Sequence, residues 1–310
     1  MVKRYFLGLS AGACFILFFV GNPNSYQLRS WEIFWNLGHI AVYSLWTYLL
    51  IKYFPPLNRQ SYGYQWIGAM GPALLLGVII EMIQKRYLDR TADLNDIIKN
   101  MIGCAFALTF LTPVRHHTKP YYLLFLKIGI LILIIAEFLP FAQAITDEWI
   151  AKEQFPALGT FETPFETTRW DPINSKLRVS RDIKSQGKAS LRIDLTATKY
   201  SGATLEYLPR DWRGFASIRF DLYNPQKFPL KMICRINDFE HNRNGYHRQD
   251  RFNQTMMIEP GWNRFKIPME RVQNAPKNRR MNMTEIESFA IYAYQLNRPR
   301  TIYLDDLRLN

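Results

Sequence analysis

Two kinds of hydrophobic pattern divide this sequence. Long apolar runs recur over residues 1–148, whereas apolar and polar residues alternate in short stretches from 149 to 310. A helix needs about 20 apolar residues to cross a bilayer, and period-two alternation is typical of strands. We therefore predict an all-α transmembrane helical bundle followed by an all-β antiparallel sandwich.

The apolar runs predict five membrane spans, at residues 5–20, 31–54, 64–84, 94–111 and 121–145. Tryptophan and tyrosine residues fall near several of the predicted ends, where amphipathic rings favour the membrane interface. No small-residue cleavage site follows the first run, so we interpret it as a retained anchor rather than a signal peptide.

Basic residues next to alternate ends of these spans predict the orientation. They are Lys3, Arg4, Lys52, Arg59, Arg115 and Lys119. Because short cytoplasmic flanks are enriched in Lys and Arg, we predict a multi-pass protein of the inner (cytoplasmic) membrane with a cytoplasmic N-terminus. The sandwich would then lie outside the cytoplasm, in the periplasm of a Gram-negative cell. The loop at 85–90 is also basic and departs from this trend.

The net charge limits the classes of binding partner, and the positions of the cysteines limit the disulfides that can form. The formal net charge is +13, but no basic helix or nucleic-acid motif accompanies it, so we predict no nucleic-acid partner. An anionic lipid or glycan is a better match, and a basic surface that is simply solvated is a better match still. Cys14, Cys104 and Cys234 are predicted to be free thiols, because Cys234 has no cysteine partner within its domain. The sequence gives no oligomeric state.

A polar constellation interrupts the apolar runs. Asp93, Asp96, Asn100 and Gly103 recur at helical spacing and share one helix face. Polar groups there are costly in lipid and must face protein, water or a ligand. The candidate cluster is His39, Tyr43, Glu81, Gln84, Arg90, Asp93, Asp96 and Asn100. It would fasten helices together, line a pocket for a lipid-linked or small polar ligand, or bind a divalent metal through His39, Glu81, Asp93 and Asp96.

The order of these residues resembles the VanZ-like family of small membrane proteins. The matching pattern is Glu81-x2-Gln84-x5-Arg90-x2-Asp93-x2-Asp96-x3-Asn100-x2-Gly103, preceded by Gly38-His39-x3-Tyr43. The resemblance covers roughly residues 1–115. Many members carry Asp-Lys shortly before the histidine, where this chain has Trp35-Asn36. The resemblance implies a role in the cell envelope and in glycopeptide (teicoplanin-type) resistance, and it leaves open whether the chain is an enzyme.

The second half predicts eight or nine short strands and one helical turn near residues 269–272. It resembles jelly-roll carbohydrate-binding modules and galactose-binding-like domains. The resemblance is carried by Phe161-Glu162, Gly187-Lys188-x-Ser190-Leu191, Pro260-Gly261-Trp262-Asn263, Ile267-Pro268 and Tyr303-Leu304-Asp305-Asp306-Leu307. It implies a glycan-binding scaffold, in some members with a structural calcium ion. By position, Glu162 and Asp306 are the candidate calcium ligands, since carboxylate oxygens suit that ion.

A loop at 237–253 is the densest polar stretch of this half. Its candidate glycan-binding residues are Asn237, Asp238, Glu240, His241, Tyr246 and Arg251. A solvated loop with internal ion pairs is the alternative, and Asp238, Glu240 and Asp250 would supply a glycosidase pair only at a suitable separation. Sugar rings also stack on aromatic side chains; the candidates are Trp170, Tyr200, Trp212, Tyr246, Tyr292 and Tyr294.

Three functions follow from these patterns. The first is a membrane protein that displays a glycan-binding jelly roll to an envelope or exported polysaccharide. The second is a membrane enzyme that acts on a lipid-linked envelope precursor through His39, Glu81, Arg90, Asp93 and Asp96. The third is a structural anchor or assembly factor.

Overall fold

The computed structural model describes Gly12 and residues 28–87, 94–113 and 120–310. Within these ranges the chain forms helices first and an antiparallel sandwich afterwards, as the two hydrophobic patterns predict. It divides into two compact units, Met1–Ile145 and Thr146–Asn310.

The described part of the first unit is helical. Its helices are α1 (Arg29–Tyr53), the short α2 (Pro55–Asn58), α3 (Tyr62–Tyr87), α4 (Leu94–Phe106) and α5 (Pro120–Gln154). Helix α4 continues into a π-helical turn, Ala107–Leu111, and it packs against both α1 and α3. The last residues of α5 belong to the second unit.

Three of the described helical segments are long and apolar enough to cross a membrane: Tyr62–Ile83, Leu94–Leu111 and Pro120–Gln154. This is consistent with membrane association. Helix α1 forms where the second span is predicted, but it is not one of the three, since polar residues such as Asn36, His39 and Ser44 lower its hydropathy. The predicted first span lies outside the described residues, so the prediction of five spans stays a prediction.

The second unit is a sandwich of two antiparallel sheets. Its strands are β1 (Ala157–Gly159), β2 (Trp170–Ile173), β3 (Ser175–Ser180), β4 (Ser190–Leu195), β5 (Tyr200–Leu205), β6 (Ser217–Asn224), β7 (Leu230–Asp238), β8 (Phe252–Ile258), β9 (Gly261–Pro268), β10 (Ile286–Tyr294) and β11 (Arg300–Leu309). Sheet 1 has the order β3-β4-β11-β6-β9, with β1 also paired to β11, and sheet 2 has the order β2-β5-β10-β7-β8. From β8 to β11 the chain changes sheet at every strand, as in a jelly roll.

Strand alternation produces the core between the sheets. In β4, Leu191, Ile193 and Leu195 are buried between the sheets, and in β10 Phe289 and Ile291 face them from the other side. Removing each such side chain from water contributes about 1.5–3 kcal/mol. Two short helices complete the unit, α6 (Phe239–Arg243) and α7 (Met269–Gln273). The predicted helical turn near residues 269–272 is confirmed by α7.

The sequence pattern does not predict β1, β2 or α6. β1 is only three residues long, and β2 contains Pro172 and lies at the edge of sheet 2, where a residue without an N–H is tolerated. Helix α6 forms within the loop predicted at 237–253 because the Asp238 side chain accepts a hydrogen bond from the His241 N–H and caps its first turn.

A buried ion pair fastens the last turns of α5 within the second unit. The Arg169 guanidinium donates to both carboxylate oxygens of Asp147, with its Nε at 3.0 Å from each and Nη2 at 2.7 Å from Oδ1. Both side chains are almost fully buried, at 2% and 3% exposure. Such a bidentate pair satisfies charges that would be costly to bury alone.

Candidate functional site

The helical unit brings part of the predicted polar cluster together. His39 of α1 lies between two residues of α4: its Nδ1 is 2.9 Å from Asn100 Oδ1, and its Nε2 is 3.6 Å from Asp96 Oδ2. Lys99 donates to the other Asp96 oxygen at 2.9 Å. His39, Lys99 and Asn100 are all buried. The sequence analysis did not include Lys99, although its spacing of three residues from Asp96 allows this pair on one helix face.

Close backbone contact between α1 and α4 holds this cluster. A Cβ at Gly103 would lie 2.5 Å from the Ile40 carbonyl oxygen, so only glycine lets the helices approach here. Ser44 Oγ donates to the Gly103 carbonyl at 3.0 Å. Tyr43 is fully buried, and its hydroxyl lies near Gly77 of α3. The spacing that puts Asn100 and Gly103 on one face therefore also marks the face that meets α1.

The other predicted members of the cluster are Glu81, Gln84, Arg90 and Asp93, of which Glu81 interacts electrostatically with Tyr43. Glu81 is buried on α3, and nothing is described of the Gln84 side chain. Arg90 and Asp93 lie outside the described residues. Among the described residues, no group of three or more His, Cys, Asp or Glu side chains is arranged to hold a metal ion, and the metal hypothesis, which needs Asp93, stays a prediction.

In the second unit, an arginine organises the loop that follows β7. Arg279 donates to Asp238 at 2.6 and 2.7 Å and to Asp250 at 2.6 and 2.9 Å. These hydrogen bonds lower the pKa of Asp250. Asp238 is fully buried and also accepts from the Asn282 N–H at 2.6 Å. Both carboxylates thus serve as ion-pair partners of Arg279, as in the predicted alternative of internal ion pairs.

The remaining candidates of this loop differ in accessibility. Glu240 is partly exposed, with a carboxylate oxygen 3.3 Å from Arg279 Nη1. His241 is buried beneath the exposed ring of Tyr246, at 5.8 Å between ring centroids. Burial, together with the charge of Arg251, lowers the pKa of His241. Asn237 and Arg251 lie elsewhere, on the outer face of sheet 2.

That outer face is a row of polar side chains across all five strands. Cross-strand pairing places one residue of each strand side by side: Asp171, Thr204, Ala290, Arg235 and Asn253. Their sequence neighbours, such as Leu205, Phe289 and Cys234, belong to the core. Because side chains alternate across a strand, this row must point away from the core. We call it the polar row.

Three tyrosines lie beside the polar row on the same face. Tyr292 follows Ala290 by two residues on β10, and Tyr294 pairs with Tyr200 of β5 further along. Tyr200 is 5.9 Å from Tyr292 and 5.2 Å from Tyr294 between ring centroids. Tyr200 and Tyr294 are 43% and 44% exposed. We call these three residues the tyrosine cluster. The other candidate rings, Trp170 and Trp212, are buried in the core.

A glycine sets the position of the tyrosine cluster. Gly202 of β5 pairs with Tyr292, and a Cβ there would lie 2.1 Å from the Ile291 carbonyl oxygen and 2.6 Å from Tyr292 Cβ. Only a glycine at position 202 therefore leaves room for the Tyr292 side chain in this position. Thr204 and Ala290 are also small, and both are buried. With Gly202 they form the floor of a shallow depression between larger side chains on this face.

Carboxyl groups line the other side of the polar row. Although Glu206 is solvent accessible, surrounding protein removes part of its hydration, and this desolvation with the nearby charge of Asp171 raises the pKa of Glu206 to about 7. Desolvation also raises the pKa of Glu287. Asn237 Nδ2 donates to a Glu287 oxygen at 2.8 Å, and Asn242 of α6 donates to the other.

Arg235 and Arg251 share this face and form no ion pair with any described carboxylate. Arg251 has an extended backbone directly before β8, so the strand alternation places it on the side of Asn253, diagonal to Arg235. Among the described residues, the buried Nε atoms of both guanidinium groups have no hydrogen-bond partner. Desolvation and the charge of Arg251 lower the pKa of Arg235, while Glu206 and Glu287 attract Arg235 without forming an ion pair. Alternation along β7 marks Arg235 as outward-facing, but the sequence analysis missed it.

The calcium candidates lie around one loop and already have N–H donors. Glu162 Oε1 accepts from the Lys188 N–H at 2.7 Å. Asp306 accepts from Gln186 Nε2 at 3.1 Å and pairs with Arg219 and Arg308. Because guanidinium groups occupy the carboxylate oxygens of Asp306 that a calcium ion would need, Asp306 fits calcium poorly as arranged. Calcium at Glu162 and Asp306 stays a prediction.

Comparison with known proteins gives structural similarities only. No family model matches the chain and no curated protein matches it, so the resemblance to the VanZ-like family stays a prediction. An exo-β-agarase structure is similar over 50% of this chain and 24% of its own, with 14% identity and a TM-score of 0.40. This chain therefore spans about a quarter of the agarase. A family 11 carbohydrate-binding module from Clostridium thermocellum, in complex with a β-1,3-1,4-mixed-linked tetrasaccharide, is similar over 49% of this chain and 93% of its own, with 15% identity and a TM-score of 0.38.

Proposed function

We propose that this chain is a membrane-associated glycan-binding protein and that the outer face of sheet 2 binds the glycan. The observation that supports this is the tyrosine cluster next to the polar row on one open sheet face. Tyrosine rings bury the apolar face of a pyranose ring, while carboxylate, amide and guanidinium groups bond its hydroxyls. An extended polysaccharide would lie across the strands, above the floor formed by Gly202, Thr204 and Ala290.

Glycan binding by the full chain in detergent micelles tests this proposal. A glycan array carrying neutral, uronate and sulfated polysaccharides identifies a ligand, and titration calorimetry measures its affinity. Replacing Tyr200 and Tyr294 together by alanine removes two exposed rings from the tyrosine cluster. We expect this to weaken binding by about tenfold or more, as loss of exposed anchor residues does.

Trp262→Ala is the matched control for that experiment. Trp262 lies on the outer face of sheet 1 and is 38% exposed, close to the exposure of Tyr200 and Tyr294. The control should leave the affinity unchanged. If the chain binds no glycan, the proposal fails. Equal losses in the control and in the double variant would assign the binding to a different surface.

We further propose that the sandwich lies outside the cytoplasm, facing an envelope or exported polysaccharide. Support comes from three helical segments apolar enough to span a membrane and from the distribution of Lys and Arg between the predicted spans. An alkaline phosphatase fused after Asn310 should be active, and a green fluorescent protein fused there should be dark. The reverse result would contradict this orientation.

A second candidate function rests on the contact of His39 with Asp96 and Asn100. We propose that this buried cluster binds a lipid-linked envelope precursor, as a membrane enzyme or a carrier protein would. Polar groups buried between apolar helices are expensive and often serve a ligand. Native mass spectrometry in nanodiscs, with polyprenyl diphosphate as the probe, should detect binding that His39→Gln abolishes. If His39→Gln lowers only the melting temperature, the cluster fastens helices instead.

A link to glycopeptide resistance is the most specific part of this proposal. It rests on the resemblance of residues 81–103 to the VanZ-like pattern. Cells that express the chain should show reduced teicoplanin susceptibility, and His39→Gln should restore it. Unchanged susceptibility on expression would contradict that link without affecting glycan binding.

A further inference from the structure

Two neighbouring arginines lie on the proposed glycan-binding face, and neither forms an ion pair with a described carboxylate. Arg235 lies in the polar row, opposite Asn253 of β8. Arg251 lies diagonal to Arg235, two residues before Asn253. Asn253 Nδ2 donates to the backbone carbonyls of Arg248 and Arg251, at 3.1 and 3.5 Å, while its buried Oδ1 has no partner among the described residues.

Four other arginines of the second unit pair with carboxylates: Arg169 with Asp147, Arg279 with Asp238 and Asp250, Arg192 with Asp194, and Arg219 with Asp306. A buried Nε without an acceptor also occurs in Arg308, but Arg308 pairs with Asp306 through Nη2. Arg235 and Arg251 have such a buried Nε and, among the described residues, no ion pair. Burying two neighbouring like charges without an acceptor costs free energy, which an added anion would recover.

The nearby acids do not supply that anion. Glu287 accepts hydrogen bonds from Asn237 and Asn242, which hold it toward α6. Glu206 lies on the same side of the polar row as Arg251 but three strands away, next to Asp171, and the two form no ion pair. The described acids therefore leave both guanidinium groups without an ion pair. Arg235 lies in the polar row next to the tyrosine cluster, and Arg251 lies on the far side of the row from that cluster.

We propose that the glycan bound on this face is anionic and that Arg235 and Arg251 together bind its carboxylate or sulfate group. This inference rests on the proposed glycan-binding function and names the class of its ligand. A guanidinium group offers paired N–H donors that match a carboxylate or a sulfate. The tyrosine cluster would stack on a sugar ring of the same chain, about one residue away along the polysaccharide.

Matched polymer pairs test the charge by itself. Polygalacturonate oligomers are compared with their carboxyl-reduced neutral counterparts, and sulfated galactan oligomers with their desulfated counterparts, using the full chain in detergent micelles. The two pairs distinguish a carboxylate from a sulfate as the preferred group. We expect at least one anionic polymer to bind about tenfold more tightly than its neutral counterpart, since a charge-assisted hydrogen bond contributes that much.

Arg235→Gln and Arg251→Gln should each abolish this preference, lowering affinity for the anionic polymer more than affinity for its neutral counterpart. Arg264→Gln is the control, because Arg264 is an exposed cation on the outer face of sheet 1 and its loss changes the net charge equally. Thermal melting of each variant confirms that it is folded.

The outcomes separate the two levels of the proposal. Equal affinity of the wild type for charged and neutral counterparts overturns the anionic inference and leaves glycan binding standing. A preference that survives in both arginine variants overturns the assignment to Arg235 and Arg251. Absence of binding to every charged and neutral polymer, on these pairs and on the array, overturns the proposed function together with the inference.

Discussion

The two outer faces of the sandwich carry similar aromatic clusters but differ in how their charges are paired. On sheet 1, Tyr223 lies between Trp262 and Tyr303, with ring centroids 5.2 and 6.0 Å away. On sheet 2, the tyrosine cluster has nearly the same spacing. Aromatic clustering therefore does not by itself distinguish the two faces.

The arginines distinguish them. On sheet 1, Asp194 pairs with Arg192 at 2.9 Å and with Arg178 at 3.2 Å, and Asp221 lies 3.8 Å from Arg264. Arg308 of sheet 1 has a buried Nε without a partner, but its Nη2 pairs with Asp306. On sheet 2, Arg235 and Arg251 have buried Nε–H groups without a partner and no ion pair among the described residues. A face that satisfies its own charges is complete without a ligand. A face with unpaired, partly desolvated charges is less stable than one whose charges are paired, and binding sites often show this loss of stability.

The largest difference in the free energy of unfolding is expected between two arginine-to-methionine variants, one at the ion-paired Arg169 and one at Arg235. Arg169→Met strands the buried carboxylate of Asp147 and should lower the free energy of unfolding by about 3–5 kcal/mol. Arg235→Met removes a cation that forms no ion pair among the described residues, so we expect stability to be unchanged or raised by up to about 1 kcal/mol. Chemical denaturation followed by tryptophan fluorescence measures both. A large loss for Arg235→Met would mean that Arg235 supports the fold and would erase the contrast between the faces.

A smaller effect is expected from removing one ring from each face. Tyr292 and Tyr303 are both 7% exposed, on the outer faces of sheets 2 and 1, so alanine replacement should cost each a similar amount of stability. Only Tyr292→Ala should weaken glycan binding, by about tenfold to a hundredfold, since a buried aromatic anchor contributes about 1–3 kcal/mol to binding. Comparable affinity losses in both variants would show that the faces are not functionally distinct.

The pH dependence of stability should separate the faces more subtly. The pKa of Glu206 is raised from its ordinary value of 4.5 to about 7, so the folded state holds its proton more tightly than the unfolded state. The resulting stabilisation is fully present below pH 4.5 and is lost as the pH rises through about 7. Asp171, Glu287 and Arg235 also affect this carboxyl. Glu206→Gln should therefore raise the melting temperature more at pH 8 than at pH 5.

The matched control for that comparison is Glu259→Gln, which removes an exposed carboxyl from the turn between β8 and β9. Its effect on the melting temperature should not grow at pH 8 as that of Glu206→Gln does. A Glu206→Gln effect of equal size at both values would show that Glu206 is already ionised at pH 5.

Local pattern explains much of the fold and little of the site. Alternation predicts strands such as β4 and β10 because one side of each strand is buried, and helical spacing places Asp96, Asn100 and Gly103 on the face that meets α1. The polar row depends instead on which strands pair. Asp171 and Asn253 are 82 residues apart in the chain and meet only because β5, β10 and β7 lie between them. Such long-range pairing is not encoded in local periodicity.

The same limit applies to the loop at 237–253. Its density of polar residues indicates a binding surface or an ion-paired loop with equal force, because both need the same residue types. The structure resolves Asp238 and Asp250 as partners of Arg279, which follows them in the chain by 29 residues or more. Arg251 and Asn237 are polar like the other residues of this loop. They follow the alternation of the adjoining strands, however, which directs their side chains outward.

The smallest effect should come from the exposed ion pairs of sheet 1. Arg178→Gln and Arg264→Gln each break a contact at the surface, where the arginine side chains are 63% and 82% exposed. Water and salt screen such pairs, so each substitution should change the free energy of unfolding by less than about 0.5 kcal/mol. Chemical denaturation at low and at high salt measures this change. If either variant loses more than about 1 kcal/mol, the paired charges of sheet 1 hold that face in place, and its lack of open charge reflects structural need rather than the absence of a ligand.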